Sequence, residues 1–200
     1  MRDFSLNYYY FCMIFIFNIN LLGGQRIVIT GGPGFGKTSI IDELESRNFP
    51  CQHEVSRTII KEQLEIGGDI LPWKNLARFS TLLMESRIKQ FEEVMSLAFT
   101  FFDRGMPDII AYMQKDKLFI PEEYINKVKE SYYFSKVFIV PPWKDIYHND
   151  GERKEDYETA CMINDLIIRT YEELGYQTII LPKISIKERT DFILNEIGIL

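Results

Sequence analysis

The sequence predicts a three-layer α/β protein, a five-stranded parallel sheet with helices on both faces. Three observations predict it. Short apolar, β-branched runs alternate with helical stretches along the chain. The first run, Arg26 to Thr30 (RIVIT), passes without a gap into Gly31-Gly32-Pro33-Gly34-Phe35-Gly36-Lys37-Thr38. That is the spacing G-x-x-x-x-G-K-[ST] of a phosphate-binding loop, and Ser39 to Ser46 behind it reads as helix, so the motif has its strand–loop–helix context. A later apolar run ends on Asp103, as in a buried parallel strand whose last carboxylate emerges at the ligand edge of the sheet.

Length and composition fit this class. The 200 residues suit one domain with a substantial core. Hydrophobic content of 46% and charged content of 26% are those of a globular chain. A net charge of -6, with no strongly basic stretch, argues against nucleic-acid binding. Cys12, Cys51 and Cys161 show neither C-x-x-C nor metal-ligand spacing, which suits free thiols in a reducing cytoplasm. With only His53 and His148, a histidine triad or a zinc site is not expected.

Taken in order, Met1 to Gly24 stands apart. Tyr8 to Leu22 is aromatic and aliphatic but is interrupted by Asn18 and Asn20, and it is short for a membrane span. Arg2 alone precedes it and no small-x-small site follows, so it makes a poor secretory leader. We expect a hydrophobic extension outside the core and no membrane span. A packed extra element and a membrane anchor are the alternatives. The phosphate-loop domain then covers residues 25–200.

The helix after the loop should run from Lys37 to Arg47, where Asn48 to Pro50 stop it. Cys51 to Val55 reads as a second strand and Val55 to Ile66 as a helix. Gly67-Gly68-Asp69 and Leu71-Pro72 mark a loop. Asn75 to Ser96 carries a helical stripe of Leu76, Phe79, Leu82, Leu83, Ile88, Phe91 and Val94, which reads as core. Leu97 to Phe102 is the third strand. Pro107 opens a helix to Gln114, and Pro121 another to Tyr132. Lys136 to Val140 is the fourth strand, stopped by Pro141-Pro142. Trp143 to Lys154 is a polar loop. Glu155 to Leu174 is a helix ended by Gly175, and Gln177 to Leu181 is the fifth strand. Ser185 to Glu196 closes the chain as a helix, with Ser185 as N-cap and Glu188 three residues on.

The residues of the loop follow from what a polyphosphate needs. Glycines let the backbone curl and approach the oxygens, and the opening helix aims its free N–H groups and positive dipole end at them. The loop from Gly31 to Ser39 is therefore the expected site for ATP or GTP. Lys37 should reach the β- and γ-phosphates, standing as a surface cation in the empty site, and Thr38 should hold Mg²⁺. Asp103 is expected either to bind Mg²⁺ through water or to act as base for an acceptor hydroxyl. Arg104 either contacts phosphate or pairs with acidic groups. Asp108 either caps its helix or binds the acceptor hydroxyl. Glu54 and Arg57, three apart, share a face and can form an ion pair.

These residues lie in segments that resemble a known family. GGPGFGKT, HEVSR (His53 to Arg57), FFDRGMPDIIAY (Phe101 to Tyr112), DGERKE (Asp150 to Glu155) and YEELGYQTIILPKISIKER (Tyr171 to Arg189) are together similar to the small AAA-type ATPases. That family includes the ribosylnicotinamide-kinase domain of the bacterial NAD-metabolism regulator. Met1 to Gly24 has no place in its pattern. The resemblance implies a nucleoside-kinase-like P-loop fold, Mg-nucleotide binding, a cytoplasmic location and an acceptor site using Glu54 and Arg57. In related kinases the loop that here contains Arg153 closes as a lid over the phosphates. The expected activity is transfer of a γ-phosphoryl group to a small hydroxyl acceptor. An NTPase switch and a non-catalytic module that binds nucleotide or phosphoinositide are the alternatives.

Overall fold

The computed structural model describes residues 25–94, 99–147 and 155–200. Strands β1 (Arg26–Thr30), β2 (Cys51–Gln52), β3 (Thr100–Asp103), β4 (Lys136–Ile139) and β5 (Gln177–Ile180) form one sheet. Its order is β2-β3-β1-β4-β5 and every pairing is parallel, as predicted. Successive residues of a strand point to opposite faces, so the near-continuous apolar runs supply two cores. Val28, Phe102, Val137 and Ile139 enter one, and Ile27, Ile29, Phe101 and Phe138 the other. Full burial of each such side chain stabilises the fold by about 1.5–3 kcal/mol.

The first face is covered by α3 (Leu76–Glu93), α4 (Met106–Lys115), α5 (Glu122–Glu130) and α6 (Tyr157–Glu173), through residues such as Met84, Ile110, Val128 and Ile167. The second is covered by α1 (Lys37–Ser46) and α7 (Ile186–Glu196), through Ile40, Ile41, Leu44, Ile193 and Leu194. A smaller cluster of Val55, Ile59 and Phe79 joins α2 (Val55–Glu65) to α3 at the edge of the sheet. Ser185 and Glu188 cap α7 reciprocally, as the sequence indicates.

Three boundaries differ from expectation. Strand β2 ends at Gln52, because Glu54 becomes the N-cap residue of α2. Helix α3 ends at Glu93, and the predicted continuation to Ser96 falls on residues 95–98, outside the described chain. The Trp143–Lys154 loop opens with a 3-10 turn at Lys144–Ile146, and residues 148–154 lie outside the described chain. The extension at residues 1–24 does too, and no helix of the described residues is long and apolar enough to cross a membrane.

The register fixes the working edge. Ile29 pairs with Asp103 and Thr30 with Ile139, so the carboxyl ends of β1, β3 and β4 lie side by side. The loop leaving β1 opens at that edge.

Candidate functional site

The loop after β1 is held from within the protein. A Cβ on Gly31, whose φ is 140°, would lie 2.5 Å from the Val140 carbonyl oxygen, so only glycine fits beside β4. Gly36 takes a left-handed φ of 88° as it caps α1. Between them Phe35 turns inward, fully buried, with its ring 6.1 Å from those of Tyr147 and Tyr157. Asn164 on α6 accepts the Gly32 N–H at 3.0 Å. Lys37 is not the surface cation expected. It is 3% exposed, and its Nζ donates to the carbonyl oxygens of Gly31 (3.1 Å) and Gly32 (2.7 Å). The ammonium satisfies itself on the loop's own carbonyls, which draws it inward.

Across the edge, Arg104 and Asp108 form a closed network. Arg104 takes a left-handed φ of 68°, uncommon for a side chain of this size, and its N–H donates to the Ile29 carbonyl at 3.0 Å. That turn sends its guanidinium back under the loop, where Nη1 donates to Gly31 O (3.0 Å) and Asp108 Oδ1 (3.1 Å), and Nε to Glu54 Oε1 (3.1 Å). Burial alone would lower its pKa, but Tyr112, Glu54, Asp108 and Asp103 together hold it well above the usual arginine value. The Asp108 carboxylate accepts from Thr30 Oγ1, Arg104 Nη1, the Gly105 N–H (2.9 Å) and Tyr171 OH (2.7 Å). Of the alternatives for Asp108, the cap is therefore present, and for Arg104 the pairing with acids. Glu54 also meets Arg57 Nε at 3.6 Å, the ion pair anticipated from their spacing.

Asp103 differs. It is 1% exposed, and its Oδ1 has no hydrogen-bond partner among the described residues. Burial, with Glu54 nearby, raises its pKa above the usual carboxylate range against the pull of Lys37, Arg104 and Arg87. Arg87 on α3 supports its backbone, with Nη2 donating to Asp103 O at 2.8 Å. A buried carboxylate oxygen left open, with the exposed Thr38 at the start of α1, is a donor set that suits a hard divalent cation.

Two cavities flank the loop. One, of about 560 Å³, is lined by Gly34, Gly36, Lys37, Thr38 and Ser39 on one side and by Trp143, Ile146, Ile184, Ile186 and Arg189 on the other. The second, of about 310 Å³, is enclosed by α2, α3 and α4, with Trp73, Leu76, Phe79, Ile109 and Tyr112 as apolar wall and Glu54, Arg104 and Asp108 at its polar end. Pro33 lines this second cavity rather than the first. Arg57 lines both.

The structure thus brings together Glu54, Arg57, Asp103, Arg104, Asp108 and the loop from Gly31 to Ser39. Arg153 lies outside the described residues. Sequence reasoning missed Trp143 and Arg189 on one wall and Trp73 and Phe79 on the other. Trp143, directly after Pro141-Pro142, was the strongest available signal, since a tryptophan at a strand's carboxyl end stands at the ligand edge. Arg189 ends the last of the segments that carry the resemblance, but nothing in the local sequence marks it as a cavity residue.

A sequence model described as an AAA domain matches residues 26–189. Among curated proteins none matches the chain significantly. Solved structures do. Deoxyadenosine kinase from M. mycoides superposes with a TM-score of 0.62 at 15% identity, over 88% of this chain and 100% of that one. The NadR protein in complex with NR gives 0.64 at 16%, over 88% of this chain and 52% of that one. Thymidylate kinase from Ehrlichia chaffeensis gives 0.60 at 14%, over 88% and 100%. At these identities the likeness is one of fold, that of the P-loop kinases.

Proposed function

The chain belongs to the AAA domain family, and on that premise we propose that it is a kinase-like phosphotransferase moving the γ-phosphoryl group of ATP or GTP to a small hydroxyl acceptor. The observation that carries this is the pair of cavities on either side of the phosphate loop, with Arg57 lining both. A hydrolytic switch needs one nucleotide site and a water. Here a second, largely apolar chamber with a polar end adjoins the loop at Pro33 and shares Arg57 with the first, and 310 Å³ is enough for a small molecule.

The chemistry follows from the residues. The acceptor oxygen attacks the γ-phosphorus while the bond to the β–γ bridging oxygen breaks, releasing the nucleoside diphosphate. Asp103, whose raised pKa favours proton uptake, receives the hydroxyl proton. Lys37 leaves the Gly31 and Gly32 carbonyls for the phosphate oxygens, and Arg57 meets the phosphoryl group between the chambers. Glu54 orients Arg57 and Arg104. Arg153 is assigned to the developing charge on the γ-phosphoryl group. Thr38 would hold Mg²⁺, which supplies neutralisation of the β- and γ-phosphate charge when bound; in its alternative role Asp103 would hold the ion through water instead of taking the proton. Nucleotide as substrate, and free Cys51 and Cys161, suit a cytoplasmic setting.

The test is a phosphoryl-transfer screen with γ-labelled ATP and GTP over nucleosides, ribosides and inositol lipids. A labelled product formed one-to-one with the nucleoside diphosphate is expected. Hydrolysis that no acceptor accelerates would make the protein a switch. Tight nucleotide binding without turnover would make it a regulatory module.

A further inference from the structure

Three buried arginines stand among the described residues, and one of them is chemically unlike the others. Arg104 is hydrogen-bonded to Glu54, Gly31 and Asp108, and Arg87 to Gln90 and Asp103. Arg189 is 4% exposed, and its Nε and Nη1 are buried with no hydrogen-bond partner among the described residues. Its guanidinium carbon lies 5.6 Å from the centroid of the Trp143 ring. Burial lowers its pKa. Buried guanidinium N–H groups without acceptors are a costly arrangement in a folded chain.

Its position says what completes it. Arg189 Nη1 lies 4.0 Å from the point where a Cβ on Gly36 would stand. Gly36 is the turn from loop to α1, and the free N–H groups of that helix's first turn begin beside it. Lys37 and the dipole end of α1 make this corner positive, and Arg189 adds a further cation. Arg189 lines the first cavity and not the second, toward which the proposed function directs the γ-phosphate. On that reading it is left to the phosphates nearer the nucleoside.

We propose that Arg189 is an additional nucleotide-binding residue that donates to the α-phosphate of the bound nucleotide. In this structure its guanidinium rests against the Trp143 ring. On binding it turns to the phosphate oxygens and gains the acceptors it lacks. It thereby holds the nucleoside end of the ligand while Lys37 and Arg57 hold the transferring end. This rests on the nucleotide-binding reading above and adds to it a residue outside the loop motif.

The experiment compares the unaltered protein with Arg189→Met and Arg189→Lys by calorimetric titration with ADP and GDP, thermal melting, and ³¹P NMR of the diphosphate at saturation. Methionine fills the volume without the charge. We expect Arg189→Met to bind at least about tenfold more weakly, as for loss of a charge-assisted hydrogen bond. The α-phosphorus resonance of the bound diphosphate should move more than the β, and the melting temperature without ligand should be unchanged or higher. Arg189→Lys should fall between. Affinity within about threefold of the unaltered protein overturns the inference, as does a changed base-proton spectrum with both phosphorus resonances unmoved, which would make Arg189 a base-stacking residue with Trp143. A large fall in the ligand-free melting temperature also overturns it, since the guanidinium would then be holding the fold. If the unaltered protein binds neither diphosphate, the proposed function fails and this inference falls with it.

Discussion

The two sides of the phosphate loop are built on opposite rules. On the side of the second cavity, Arg104 bonds both Glu54 and Asp108, and four donors converge on the Asp108 carboxylate. Arg189 Nε and Nη1, on the wall of the first cavity, and Asp103 Oδ1, at the end of β3, are buried without a hydrogen-bond partner among the described residues, and Lys37 borrows loop carbonyls. A saturated buried group has its strongest acceptor or donor already in place, so its removal is felt by the fold. An unsatisfied buried group carries a cost that a ligand can relieve, so its removal is felt by function. On the proposed function, the difference separates the groups that shape the chamber from those that meet the triphosphate.

The comparison can be broken at several points. Lys37→Ala should have the largest effect on function, with turnover reduced by at least about a thousandfold and nucleotide affinity weakened. Because Lys37 is buried on the loop carbonyls, the melting temperature should fall by a few degrees as well. Single-turnover kinetics and thermal melting check both, and unchanged turnover would remove the phosphate-loop assignment.

Asp108→Ala should act on the fold. It strands Arg104, Thr30, Tyr171 and the Gly105 N–H together, at about 3–5 kcal/mol in denaturant unfolding. Burial, with Asp108 beside it, keeps the Tyr171 hydroxyl protonated, so titration of the tyrosine does not rescue the network. A loss below about 1 kcal/mol would show that the network is not structural.

Asp103→Asn sharpens the contrast because stability and activity should move in opposite directions. Turnover should drop at least about a hundredfold, in the range of positioned acid–base groups. The carboxyl pKa is raised in the folded state, so Asp103 favours folding at low pH and loses that contribution as pH rises through the raised value. The asparagine variant, uncharged throughout, should melt higher than the parent at neutral pH. The gap should close as pH falls below the ordinary aspartate range. Melting curves from pH 3 to 8 read this directly, and a variant less stable than its parent at pH 7 would reverse the assignment of Asp103 to the unsatisfied class.

Arg153→Ala has the smallest expected effect. A residue that meets the phosphoryl group only at the transition state should lose about ten- to hundredfold in kcat, with nucleotide Kd changed by less than about threefold. A large rise in Kd with kcat preserved would make it a ground-state contact instead.

The sequence by itself determined the sheet, the loop and the strand-end carboxylate. Each of these is written in a short contiguous run: β-branched stretches for strands, glycines where φ must be positive, and an apolar run closed by Asp103. The spacing of Glu54 and Arg57 was equally legible, because residues three apart share a helix face. The state of each charged group was decided by tertiary structure alone. Lys37 is buried because the Gly31 and Gly32 carbonyls curl over it, and Asp108 is a hub because Tyr171, far along the chain on α6, points its hydroxyl at it. Trp73, Phe79, Trp143 and Arg189 meet their cavities only because the parallel sheet sets distant helices and loops against one edge. Burial and hydrogen-bond satisfaction are sums over neighbours from several elements, and no window of sequence contains those neighbours.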